Sequence, residues 1–159
     1  MDVYLEALEG RYVLVKVEKV ELMLRPLLLV LLSSAPSGED AAPSSEGVFS
    51  LTMDEKEVSM ILTESMFERH FSSLSTHDDH TPVMSVSDRY SIIRVDTENP
   101  GLNQHGILAR ITEVFAQYSI SVFCLSTFSA NYILIPSSDD VNERFRAMIS
   151  ATDWLRAYD

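Results

Sequence analysis

Apolar positions along the chain alternate between strand-like runs and helical spacing, and the same order occurs twice. RYVLVKVE (residues 11–18) and RYSIIRVD (residues 89–96) are offset by 78 positions (89 − 11), with three of eight residues identical and four conservative. Both runs are rich in β-branched and aromatic residues and predict strands. After the first run, Leu22, Met23, Pro26, Leu27, Val30 and Leu31 form a helical apolar pattern. After the second, Ile107, Leu108, Ile111, Val114 and Phe115 keep the i, i+3, i+4, i+7, i+8 spacing of a helix with one apolar face. FSLT (49–52) echoes CLST (124–127), and each predicts a strand followed by a turn and a further strand, at 58–62 and 132–135. Short helices are expected near 64–71 and at 139–150. Val3 to Leu5 is expected to supply an edge strand before a turn at Glu9-Gly10, and 153–158 another.

The order β-α-β-β-α with an outer strand, read twice, is the split βαβ pattern of a ferredoxin-like sandwich. The fold class expected is therefore α+β: two βαββαβ domains in tandem, antiparallel sheets with helices on one face. The first domain is expected at 3–71 and the second at 88–158. SSAPSGEDAAPSSEG (33–47) is small, polar and proline-bearing and reads as an insertion in the first domain. SSLSTHDDHTPVMSVS (72–87) reads as the linker. Units of about 75 residues are marginal alone, so the pair is expected to behave as one cooperative body.

Composition narrows the function classes. The 159 residues carry 12 Lys+Arg against 24 Asp+Glu, a net charge of −12. The cationic residues are scattered, so nucleic acid and anionic membranes are not expected as partners. Cys124 is the single cysteine, which excludes an intrachain disulfide and fits a reducing compartment. Its apolar neighbours predict a buried, inert thiol. The longest apolar run, 22–32, is interrupted by Arg25 and Pro26 and is too short to span a bilayer. MDVYLEALEG lacks the basic start and apolar stretch of a signal peptide. A cytoplasmic protein is expected.

No catalytic constellation stands out, and no cofactor is expected. His77-Asp78-Asp79-His80 offers metal-ligand side chains, but they are consecutive and lie in the linker. A zinc site needs ligands fixed by regular structure, so a solvated loop is expected rather than a metal site. DTENPGLNQHG (96–106), between a strand and a helix, is better suited to a ligand. Asn99-Pro100-Gly101 signals a turn, and Asn103 is expected to cap the helix. Free N–H groups at a helix start attract a carboxylate through direct hydrogen bonds and the helix dipole. The corresponding segment of the first repeat, 19–24, is short and mostly apolar.

VDTENPGLNQHGILARITEVFAQYSISVF (95–123) resembles an ACT domain. GVFSLT (47–52) with SISVFCLSTFSANYILIP (119–136) resembles the tandem-ACT group, which comprises small bacterial two-ACT proteins and CASTOR-type cytosolic arginine sensors. The resemblance covers residues 3–150. It implies a non-enzymatic regulatory protein that binds a small amino acid between ACT units and signals to a protein partner. Carried onto this sequence, it implies that Gly101, Leu102 and Gln104 line the ligand from the loop. Thr127, Phe128 and Asn131 match the strand and turn, and Asp96 and Thr97 match the strand end that lines the pocket in a partner unit. Gly101 would admit the ligand close to the backbone, Thr127 would hold its polar end, and Phe128 would cover its apolar stem. The arginine sensors carry carboxylates at the positions of Gln104 and Asn131. Two amides lose the charge-assisted grip on a guanidinium, so a neutral amino acid is expected rather than arginine. The sensors hold four ACT units, which implies a homodimer here. Two alternatives stand beside this reading. One is a dimerisation or interaction module without ligand. The other is a separate regulatory subunit of an amino-acid biosynthetic enzyme such as an aspartate kinase.

Overall fold

A computed structural model describes residues 2–18, 47–71, 84–97, 106–128 and 130–157. Among these, eight strands and three helices follow one another as β1 (Val3–Ala7), β2 (Tyr12–Val17), β3 (Ser50–Met53), β4 (Val58–Thr63), α1 (Glu64–His70), β5 (Met84–Thr97), α2 (Ile107–Gln117), β6 (Phe123–Ser126), β7 (Asn131–Pro136), α3 (Asp139–Ala151) and β8 (Leu155–Ala157). The architecture is α+β and rich in antiparallel pairing. The chain forms two compact units, Glu9–Arg89 and Met1–Leu8 with Tyr90–Asp159.

In the Glu9–Arg89 unit, β2 and β3 both pair antiparallel with β4. Side chains on a strand alternate between faces. Val13, Val15 and Val17 of β2 and Val58, Met60 and Leu62 of β4 therefore share one buried face, closed by Met66 and Phe71. The Thr63 hydroxyl accepts from Met66 N–H at 3.3 Å and caps α1. On β5, the Ser87 hydroxyl accepts from Leu14 N–H at 2.9 Å. The expected linker thus ends earlier than its serines suggest: Met84 to Ser87 are strand, because a serine oxygen takes up a neighbouring strand's donor. The expected helix at 22–31, residues 33–46 of the expected insertion and residues 72–83 lie outside the described residues.

In the other unit the strand order is β8-β1-β5-β7-β6, with β1 and β8 parallel and the remaining pairs antiparallel. β1 was expected in the first domain, yet it pairs with β5 from Val3↔Thr97 to Ala7↔Ile93. Val3 and Leu5 are buried in a core with Ile93, Val95, Ile133, Ile135 and Leu155, and that burial draws the strand to this unit. α2 contributes Ile107, Ile111 and Phe115, and α3 contributes Val141 and Met148. The Ser138 hydroxyl caps α3 by accepting from Val141 N–H at 3.3 Å, and Asp139 and Asp140 complement its positive end. The Arg144 guanidinium donates to the carbonyls of Tyr118 (3.3 Å) and Ser119 (2.6 Å), which satisfies the end of α2.

Cys124 departs from the expected burial: it is exposed. Its apolar neighbours put it in a strand, but that strand is the outermost of the unit. Partial burial still raises its thiol pKa.

Candidate functional site

The sheet register gathers several of the candidate residues at one end of the Tyr90–Asp159 unit. Asn131, the first residue of β7, lies opposite Val95 of β5 on one side and Ser126 of β6 on the other. Asp96 and Thr97 close β5 at this end, opposite Tyr4 and Val3 of β1. Gly106, with φ +79°, starts α2.

Direct cross-strand partners share a face of the sheet. Val95 belongs to the core under α2 and α3, so Asn131 and Ser126 sit on the helix side. The Ser126 hydroxyl donates to Asn131 Oδ1 at 2.7 Å. This fixes the amide's orientation and leaves its NH2 group as the donor end.

Asp96, one residue on from Val95, occupies the opposite face. Its carboxylate pairs with Arg94 Nε at 3.2 Å, and Arg94 Nη1 lies 3.8 Å from Glu6. Asp96 and Asn131 are therefore neighbours in register but not partners around one ligand within the unit.

The β6–β7 turn is closed tightly. Thr127 N–H donates to the Ala130 carbonyl at 2.8 Å. The Thr127 hydroxyl accepts from Ala130 N–H and donates to the Ala130 carbonyl, both at 3.1 Å. That hydroxyl serves the turn rather than standing ready for a ligand. Phe128, at its tip, is 89% exposed and covers nothing on this unit.

Gly101, Leu102, Gln104 and Asn103 lie outside the described residues, as does the His77–His80 cluster. Gly106 occupies the N-cap position of α2 with no side-chain hydrogen bond there, and the first turn carries no acidic residue. Its left-handed φ explains the glycine. α2 follows the end of β5 and runs back to the start of β6, so its N-terminus, the positive end of its dipole, lies at the same end of the sheet as Asn131. Two residues of this end carried no expected role: Gly106, detectable as a glycine directly before an apolar helical run, and Ser126, part of the CLST echo, whose role follows from its register opposite Asn131.

A cavity of about 430 Å³ lies elsewhere, in the Glu9–Arg89 unit. It is lined by Glu9, Gly10, Arg11, Thr63, Glu64, Ser65 and Glu68, none of them a candidate site residue. Among the described residues, no cluster of three or more His, Cys, Asp or Glu is placed to hold a metal, and no helix is long and apolar enough to cross a membrane.

Comparisons with known proteins bear on the fold. Residues 85–141 match the family model described as an ACT domain. That match spans β5 through the first turn of α3, and so includes every candidate site residue. Among solved structures, the fold is similar to the ligand-free regulatory subunit of aspartate kinase from Thermus thermophilus. The TM-score is 0.60 at 7% identity, over 96% of this chain and 98% of that one. It is also similar to a protein of unknown function from Vibrio cholerae (TM-score 0.59, 14% identity, 92% and 88% covered). A third similar structure is an Agrobacterium tumefaciens protein (TM-score 0.57, 16% identity, 100% and 96% covered). No curated protein matches the chain in sequence.

Proposed function

We propose that this chain is a cytoplasmic tandem-ACT regulatory protein that binds a small amino acid at the loop end of the Tyr90–Asp159 unit and passes the bound state to a protein partner. The observation that carries the reading is the placement of Asn131, held by Ser126, and the start of α2 at one end of the sheet. An amino acid offers a carboxylate for the N–H groups of a helix start and polar atoms for an amide. Gly101, Leu102 and Gln104 complete the site from the loop, while Asp96 and Thr97 serve a ligand bound to a second unit. The amide at Asn131 selects a neutral amino acid over arginine. A homodimer supplies four ACT units, and the chain performs no catalysis of its own.

A thermal-shift screen of the full chain against the twenty amino acids at millimolar concentration tests this. A ligand that binds only the native state raises the midpoint by mass action. One neutral amino acid is expected to do so, and Asn131→Ala is expected to abolish the shift without unfolding the chain.

A second reading is a ligand-free interaction module. The engagement of the Thr127 hydroxyl within its own turn and the 89% exposure of Phe128 favour it. It predicts a flat screen. A third reading, a separate regulatory subunit of an amino-acid biosynthetic enzyme, takes its motivation from the Thermus thermophilus relative and predicts capture of a kinase-type partner.

A further inference from the structure

Trp154 is the only tryptophan of the chain, and Arg110 stands over its ring, with the guanidinium carbon 4.4 Å from the ring centroid. At that distance the cation meets the negative face of the indole. Arg110 N–H donates to the Gly106 carbonyl at 3.0 Å, the hydrogen bond that closes the first turn of α2. Trp154 stands just before β8, and its carbonyl accepts from Val3 N–H at 2.9 Å. Val3 lies opposite Thr97 and Asn131 opposite Val95, so Trp154 sits at the end of the sheet that also holds Asn131. The indole is half-buried and packs against the core of the unit, which makes it a fixed support.

Helix electrostatics alone would not put a cation here. The start of a helix is the positive end of its dipole and disfavours a guanidinium beside it. Side chains of a helix lean toward its N-terminus, which brings Arg110 closer still to that end. The first turn of α2 carries no acidic residue, and among the described residues no carboxylate pairs with Arg110. The ring face of Trp154 supplies the compensation.

We propose that Arg110 is a positioning residue for the amino-acid site. Stacked on Trp154, it fastens the first turn of α2 to the β1–β8 side of the sheet and so sets where the helix start stands relative to Asn131. The proposal rests on the amino-acid reading above and names a contact on which that site depends. It also makes binding visible: a ligand drawn to the helix start shifts the first turn against the ring, and the single indole reports the shift.

Emission of Trp154 in the full chain is followed while each amino acid other than tryptophan is added at millimolar concentration, with the thermal midpoint recorded alongside. The amino acid that raises the midpoint is expected to change the emission along one saturation curve. Arg110→Met keeps the apolar stem and removes the charge. It is expected to weaken binding of that amino acid roughly two- to fivefold, the worth of an exposed cation–π contact. Arg110→Lys, still cationic, is expected to restore most of the affinity. Arg146→Met removes a positive charge on α3 and is expected to leave binding unchanged. A merely structural Arg110 would lower the ligand-free midpoint and leave affinity alone. An amino acid that raises the midpoint without altering the emission, or that binds Arg110→Met as tightly as the unsubstituted chain, overturns the positioning role while the amino-acid reading survives. No response to any amino acid overturns both. The emission is read on the unsubstituted chain, so the test stands even where Arg110→Met fails to fold.

Discussion

The Ser126 hydroxyl donates to Asn131 Oδ1 at 2.7 Å, from neighbouring strands at the end of the sheet where α2 begins. The bond turns a surface asparagine into an oriented donor. Replacing Ser126 with Ala frees the amide to rotate, and is expected to weaken amino-acid binding roughly three- to tenfold, the effect of losing about 1 kcal/mol. Isothermal titration with the stabilising amino acid checks this.

Asn131→Asp restores a carboxylate at this position. The preference is expected to move toward a cationic amino acid, because a carboxylate forms charge-assisted bonds that an amide does not. Competition between the neutral ligand and arginine, measured on the variant, reads the shift.

Thr127→Val removes the hydroxyl that both accepts from and donates to Ala130. A loss of about 1–2 kcal/mol in unfolding free energy is expected, and Thr127→Ser is expected to retain most of it. Urea denaturation of the two variants separates the hydroxyl's role from that of the β-branch.

Gly47 packs against the buried Tyr12. A Cβ there would clash with the Tyr12 Oη, and its φ of +68° is unfavourable for any side chain. Gly47→Ala is expected to cost about 1–3 kcal/mol through overpacking and strain. The same denaturation experiment measures it.

Arg89 Nε donates to Glu64 Oε1 at 2.6 Å, and this hydrogen bond, ahead of the attraction of Arg89 and Arg11, holds the Glu64 carboxyl below its ordinary value of 4.5. A lowered folded-state pKa means that its contribution is present above the ordinary value and is lost as pH falls through the lowered one. Glu64→Gln is therefore expected to narrow the stability gap between wild type and variant on acidification below pH 4.5, read as midpoints across a pH series.

Regular elements were legible wherever alternation or helical spacing was clean. β2, β4, β7, α2 and α3 fall where the apolar pattern put them, and Ser138 before two aspartates marks the start of α3 as a cap should. Pairing was not legible. Val3 and Leu5 look the same whether β1 joins the first repeat or the second, and only burial against Val95 and Leu155 decides it. Nor does composition separate an edge strand from a central one, which is why Cys124 is exposed despite its neighbours. At the candidate site, sequence grouped Asp96 and Asn131 together as ligand-binding, with Asp96 lining the pocket of a partner unit. A single-residue step along β5 puts them on opposite faces, and that parity appears only once the register is known.

The central claim is that an amino acid binds at the end of the sheet marked by Asn131 and the start of α2. Backbone amide chemical shifts of the full chain, recorded with and without the amino acid selected by the thermal screen, test it most directly. The account predicts shifts concentrated at Ile107, Leu108, Ser126 and Asn131. Shifts confined to the cavity around Glu9, Arg11, Thr63 and Glu68, or no shifts with any of the twenty amino acids, would contradict it.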